Sequence, residues 1–116
     1  MLETTLTPAE GHVLAVLKGD ITSAAAPQLD KFLAEVLAAA GQSPRCLVDL
    51  GALSFTSSAG LRSFLSLAKK VKNANGRLVF AAVQPAVMEV LEVSGFTRVL
   101  ELVPDVQTAR TRITQS

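Results

Sequence analysis

The 116-residue chain has no tryptophan, no tyrosine, one cysteine, one histidine and a formal net charge of only +1. Each scarcity removes a class of function. With five phenylalanines as its sole aromatics, the chain lacks the stacking platforms of single-strand nucleic-acid binders. Eleven basic residues against ten acidic ones create no field that would draw nucleic acid or an anionic membrane. The lone Cys46 can form neither an intrachain disulfide nor a multi-cysteine zinc site. Its setting in "RCLVDL" predicts a buried, inert strand thiol, because free cysteine is among the most buried residue types. The lone His12 opens a different predicted strand, far in sequence from Ser57 and Ser58, so a Ser-His-Asp hydrolase has no base beside its serine, and a surface or strand-edge histidine is expected. No apolar run approaches the roughly 18–20 residues of a membrane span. "MLETTLTPAEG" has neither the basic n-region nor the apolar h-region of a signal peptide. The expectation is a soluble, cytoplasmic protein with no cofactor and no metal, binding neither membrane nor nucleic acid directly.

What is present is a well-patterned globular chain, 49% hydrophobic and 18% charged, long enough to build one core without disulfides or metals. "LETTL" (2–6) alternates weakly as an edge strand, and "HVLAVLKG" (12–19) reads as a buried one. The turn chemistry of "TPAEG" between them predicts a hairpin. From residue 26 the period changes: Leu29, Phe32, Leu33, Val36, Leu37 and Ala40 mark one helix face, stopped by Gly41. "CLVDL" (46–50) fits a central strand. A second helix begins at Ser57 or Ser58, with Leu61, Phe64, Leu65, Ala68 and Val71 as its inner stripe and Arg62, Ser63, Ser66, Lys69, Lys70 and Asn73 mostly outside. "NANG" (73–76) ends it, and "RLVFAAV" (77–83) supplies a strand. Pro85 opens a third helix striped by Val87, Met88, Val90 and Leu91 and closed by Gly95. "RVLEL" (98–102) is a last short strand, and residues 105–113 form a final helix, with "RTRITQS" expected to fray. The order β-β-α-β-α-β-α-β-α implies an α/β fold: a mainly parallel sheet of four to five strands, an N-terminal edge hairpin and about four helices.

The stretch "LSFTSSAGLRSFL" (53–65) places two serines where a strand gives way to a helix. A helix start leaves backbone N–H groups without partners, and serine is a favoured N-cap. One cap accounts for Ser57 or Ser58, but not for both. Gly60 in the first turn is poorer helix material than alanine by ~1 kcal/mol; it either admits something close to the helix start or permits tight packing against the sheet. The same helix start favours negative charge. A phosphate on serine there would bring roughly −1.5 to −2 charges, with Arg62 within i, i+4 reach of Ser58. An exposed arginine on a polar face is the blander account of Arg62.

In order along the chain, "GDIT" (19–22), "VDL" (48–50), "SSAGL" (57–61), "NGRLVFA" (75–81), "PAV" (85–87) and "SGF" (94–96) resemble the motifs of the STAS domain. This is the sulphate-transporter and anti-sigma-factor-antagonist family, and the likeness is nearest to its small free-standing bacterial anti-sigma-factor antagonists. The resemblance spans about residues 11–110 and implies a STAS-like fold with residues 1–116 as a single STAS domain. It also implies that Ser58, two positions before the loop glycine, is the phosphorylation site, with Ser57 as second choice. The implied partners are an anti-sigma factor with serine-kinase activity, which binds the unphosphorylated antagonist and so frees a sigma factor, and a PP2C-like phosphatase. The implied binding face is Asp20, Thr22, Ser57, Ser58, Ala59, Gly60 and Arg62. Two family acids are missing: Ser57 replaces the one before the phosphorylated serine, and Thr22 the one closing the Gly-Glu-Leu-Asp segment. Asp20 and Asp49 are retained. The runner-up is a STAS interaction module without a phospho-switch, a scaffold or transport-system accessory subunit. An enzyme is not expected: "TSSAG" lacks the first glycine of the G-x-S-x-G nucleophile elbow, and no ligand cluster for a metal is present.

Overall fold

The computed structural model describes residues 1–115. The elements follow the expected alternation: β1 (Leu2–Ala9), β2 (His12–Ile21), α1 (Ala26–Ala40), β3 (Arg45–Thr56), α2 (Ser58–Asn73), β4 (Arg77–Ala81), α3 (Pro85–Val93), β5 (Glu101–Val103) and α4 (Val106–Thr114). The five strands lie in the sheet in chain order, with β1 antiparallel to β2 and every other pair parallel. Chain order with parallel pairing follows from helical crossovers that return over the sheet.

Three helices cover one face. Leu29, Phe32, Leu33 and Val36 of α1, Leu61, Phe64, Leu67 and Val71 of α2, and Val87 and Leu91 of α3 are buried there against Val13, Ala15, Leu17, Val48, Leu50 and Phe80. The rings of Phe64 and Phe80 meet edge to face, 5.2 Å between centroids, fixing α2 on β4. The fourth helix covers the opposite face alone: Ala109 and Ile113 pack on Leu47, Val79, Ala81 and Val103. Two arginines in register at the N-terminal ends of β3 and β4, Arg45 and Arg77, hold the last turn of α4. Arg45 donates to the carbonyls of Ile113 and Gln115, and Arg77 to that of Arg112 at 2.7 Å. They satisfy carbonyls that a helix end otherwise leaves orphaned. Arg77 also grips Glu101 at 2.9 Å, and this hydrogen bond holds the Glu101 carboxyl below its usual range against the opposing effect of burial.

Several boundaries differ from the sequence-based expectation. Both N-terminal strands are longer: Thr7, Pro8 and Ala9 continue β1, which Pro8 tolerates on an edge, and the turn shrinks to Glu10 and Gly11. The third strand runs six residues past Leu50 because β2 keeps pairing with it through Ile21↔Thr56. The fourth stops at Ala81, since Ala82 adopts φ 61° and leaves the extended region. Residues 96–98 wind into a 3-10 turn after the left-handed Gly95, so the last strand begins only at Glu101. The final helix starts one residue later than expected, at Val106, because Asp105 is its N-cap: its side chain accepts from Thr108 N. That helix runs through Thr114, into the stretch expected to fray; Ser116 lies outside the described residues. Cys46 is fully buried, as expected, and burial pushes its thiol up to about 11. Half-buried His12 opens β2 with Nδ1 3.0 Å from the Glu10 carbonyl.

Candidate functional site

The β2–β3 pair outruns the rest of the sheet. Pairing of β3 with β4 ends at Asp49↔Ala81, whereas pairing with β2 continues to Ile21↔Thr56. The result is a two-stranded overhang that carries the chain to the start of α2. The register slips between Gly19↔Leu53 and Asp20↔Phe55, which makes Ser54 the extra residue of a bulge. Strict alternation would bury Phe55 with Leu53. The bulge instead turns Leu53 and Thr56 inward and leaves Phe55 49% exposed beside Asp20. Ser54 Oγ ties the bulge down by donating to the Gly19 carbonyl at 2.9 Å.

At the tip, Ser57 N donates to the Ile21 carbonyl at 2.7 Å. Ser57 has extended backbone, φ −82° and ψ 170°, and its Oγ accepts from Gly60 N at 3.3 Å. Ser57 is therefore the N-cap, and its hydroxyl is committed to the helix. Ser58 is the first helical residue; it is exposed, and its hydroxyl has no hydrogen-bond partner among the described residues. The two adjacent serines are thus not equivalent. Gly60 is buried, and a Cβ on it would sit 2.8 Å from Ile21 Cγ2 and against Thr56 Oγ1. Of the two accounts of this glycine, tight packing on the overhang is the one observed. The first turn of α2 contains no acidic residue, so the positive end of its dipole is uncompensated within the helix.

The other expected residues surround this tip. Asp20 and Thr22 flank Ile21, the residue paired with Thr56. Asp20 receives the amino group of Met1. Thr22 is exposed and caps the 3-10 turn at 23–25 without a side-chain hydrogen bond. Ala59 is half-buried and Arg62 exposed, and Arg62 forms no ion pair among the described residues. Asp49 lies apart, below the overhang, where it accepts from Gly51 N at 2.9 Å and so shapes the strand. One expected position is corrected: Ser63 is not on the outer side of α2 but only 7% exposed, donating to Asp30 of α1 at 2.5 Å. Leu67 is likewise buried, whereas the expected Leu65 and Ala68 are half-buried.

Sequence reading missed Phe55 and the Ser63–Asp30 bridge. A slip in pairing register leaves no mark in a single sequence, so nothing pointed to Phe55. A polar residue on the flank of an apolar stripe, seven positions before Lys70, was the available signal for Ser63. Among the described residues no helix is long and apolar enough to cross a membrane, and no three His, Cys, Asp or Glu residues are grouped to hold a metal ion.

Comparison with known proteins agrees with this architecture. Residues 5–109 match the STAS domain family. BtrV of Bordetella bronchiseptica, a protein assigned as an anti-sigma factor antagonist, is 41% identical over 96 residues, covering 82% of this chain and 80% of its own. An anti-sigma factor antagonist from Mycobacterium paratuberculosis has the same fold, with a TM-score of 0.87 at 24% identity over 99% of this chain and 96% of that one. SpoIIAA of Bacillus superposes in its phosphorylated form with a TM-score of 0.71, at 18% identity over 96% of this chain and 99% of its own. With residues 5–109 matched by the domain and 41% identity to BtrV over 82% of its length, the chain belongs to the STAS domain family.

Proposed function

We propose that this protein is an anti-sigma-factor antagonist controlled by phosphorylation of Ser58. The observation that carries the reading is the division of labour between the two serines. Ser57 Oγ is engaged by Gly60 N, while Ser58 Oγ is exposed and unpartnered one helical turn before Arg62. The 41% identity to BtrV and the likeness to SpoIIAA, known in a phosphorylated form, support it. In its unphosphorylated form the protein binds an anti-sigma factor through the α2 start and the loop after β2, centred on Asp20, Thr22, Ser57, Ser58, Ala59, Gly60 and Arg62, with Phe55 as an apolar anchor. The sigma factor is thereby freed in the cytoplasm. The anti-sigma factor also acts as a serine kinase: Ser58 Oγ attacks the γ-phosphorus of ATP, ADP leaves, and the hydroxyl proton passes to a base on the kinase. The phosphoserine dianion then opposes the complex by charge repulsion and by the cost of desolvating it at an interface. A PP2C-like phosphatase hydrolyses the ester and restores binding. The protein itself works by binding and not by catalysis.

Incubation with the kinase-bearing anti-sigma factor and ATP, followed by mass spectrometry, tests this. One phosphate on the wild type and on Ser57→Ala, with none on Ser58→Ala, is the expected pattern. Equal incorporation into Ser58→Ala would overturn the assignment. No incorporation, with Ser58→Asp binding the partner as well as wild type, would favour a STAS interaction module lacking the switch. The absence of acids at Ser57 and Thr22 is the feature that fits that second reading.

A further inference from the structure

The seam between α1 and α2 holds an open groove of about 500 Å³. Its floor is apolar, made of buried Leu33 and Leu67 with half-buried Leu37. Small residues crest it on both sides, Ala34 on α1 and Ala59 on α2, so another helix can approach closely. Along the α2 wall, Arg62, Ser66 and Lys70 recur every fourth residue and form one exposed ridge. The two cations stand about 12 Å apart along the helix, and neither forms an ion pair among the described residues. The α1 wall carries one acid, Asp30, which accepts the Ser63 hydroxyl, so the lining holds two basic side chains against one acidic one.

We propose that this groove seats an acidic amphipathic helix of the protein partner, its apolar stripe on Leu33, Leu37 and Leu67 and its carboxylates on Arg62 and Lys70. The inference rests on the partner-switching reading and names the surface by which the partner is recognised. A helix fits better than a strand, because both walls are helices whose backbone groups are internally bonded, leaving nothing for strand addition. Charge complementarity selects an acidic one. A second copy is a poor occupant. The acids of this chain's own α3, Glu89 and Glu92, are three residues apart and do not match the two-turn spacing of Arg62 and Lys70. A head-to-tail contact of that kind would also build a ring or an open filament instead of a two-fold dimer. The groove gives the switch its mechanism: Ser58 lies one turn before Arg62, so a phosphate there attracts Arg62 and repels the incoming carboxylates.

The test places a photo-crosslinking amino acid at Ser66, midway along the groove, or at Thr22, beside the switch, in the full chain within its native host. The crosslinked peptides are then sequenced by mass spectrometry. Both positions should capture the same protein, and the Ser66 crosslink should fall on a helix bearing acids two turns apart. Lys70→Glu should weaken binding of that protein about tenfold at low salt, with the difference shrinking as salt rises. Capture at Thr22 but not at Ser66 overturns the groove and leaves the partner-switching reading standing. Capture at Ser66 of a second copy or of a basic segment, or an unchanged affinity for Lys70→Glu, also overturns the groove. Silence at both positions overturns both.

Discussion

Replacing each of the two serines by alanine separates a capping role from an exposed one. Ser57 Oγ accepts from Gly60 N at 3.3 Å, a long bond from a residue in the first turn of α2. Loss of a serine N-cap costs about 1 kcal/mol, within a range of about 0.5–2. Unfolding entropy near 2 cal/mol/K per residue, over 116 residues, converts about 1 kcal/mol into about 4 °C of Tm. Ser58 is exposed, and its hydroxyl has no partner among the described residues. At that helical position alanine is the better helix former by up to about 0.5 kcal/mol, so Ser58→Ala should leave Tm unchanged or raise it by about 1–2 °C. With no tryptophan or tyrosine in the chain, far-ultraviolet circular dichroism during thermal and urea unfolding is the suitable readout. A drop of about 4 °C for Ser57→Ala, beside a neutral Ser58→Ala, is the expected pair of results. A loss at Ser58 equal to or larger than that at Ser57 would refute the division of roles, because it would show the Ser58 hydroxyl bonded within the fold.

Three further outcomes follow from the packing. Gly60→Ala should destabilise: forcing a methyl group against Ile21 and Thr56 costs about 1–3 kcal/mol of overpacking, above the ~1 kcal/mol of helix propensity it gains, and a raised urea midpoint would contradict the contact. Glu101, whose carboxyl is held low chiefly by its hydrogen bond to Arg77, contributes stability that is present above the ordinary glutamate range and lost as pH falls through the folded value. Glu101→Gln should therefore flatten the acid limb of a stability-versus-pH curve below about pH 5, and an unchanged limb would count against the pair. Arg45→Ala removes the donor to the Ile113 and Gln115 carbonyls; amides of α4 should exchange roughly fivefold faster, about 1 kcal/mol, while those of α2 are unaffected.

The element order and the helix stripes were readable because each depends on local period: Leu29, Phe32, Leu33 and Val36 declare α1 without reference to any neighbour. What was not readable depends on pairing. The extension of β3 through Thr56 is set by β2 alone, and the bulge at Ser54 breaks the alternation that would have announced it. Val99, adjacent in sequence to Leu100 and apolar, looked like strand, yet it is 61% exposed after a 3-10 turn. At the site, the pair of serines was visible, but which of them faces solvent was decided by where the Ile21 carbonyl captures the chain. Ser63 looked like surface because a hydroxyl reads as polar; its partner Asp30 lies 33 residues away.

The overhang of β2 and β3 beyond β4 keeps the proposed phosphorylation of Ser58 clear of the core. Ser58 rides on a projection whose core-facing residues are Ile21, Leu53 and Thr56, and its own hydroxyl belongs to no interior network. Attaching a dianion there strips no buried group of its partner, and the dipole of α2 welcomes the charge by about 0.3–1 kcal/mol. A kinase and a phosphatase acting on Ser58 as proposed would meet nearly the same fold in both states.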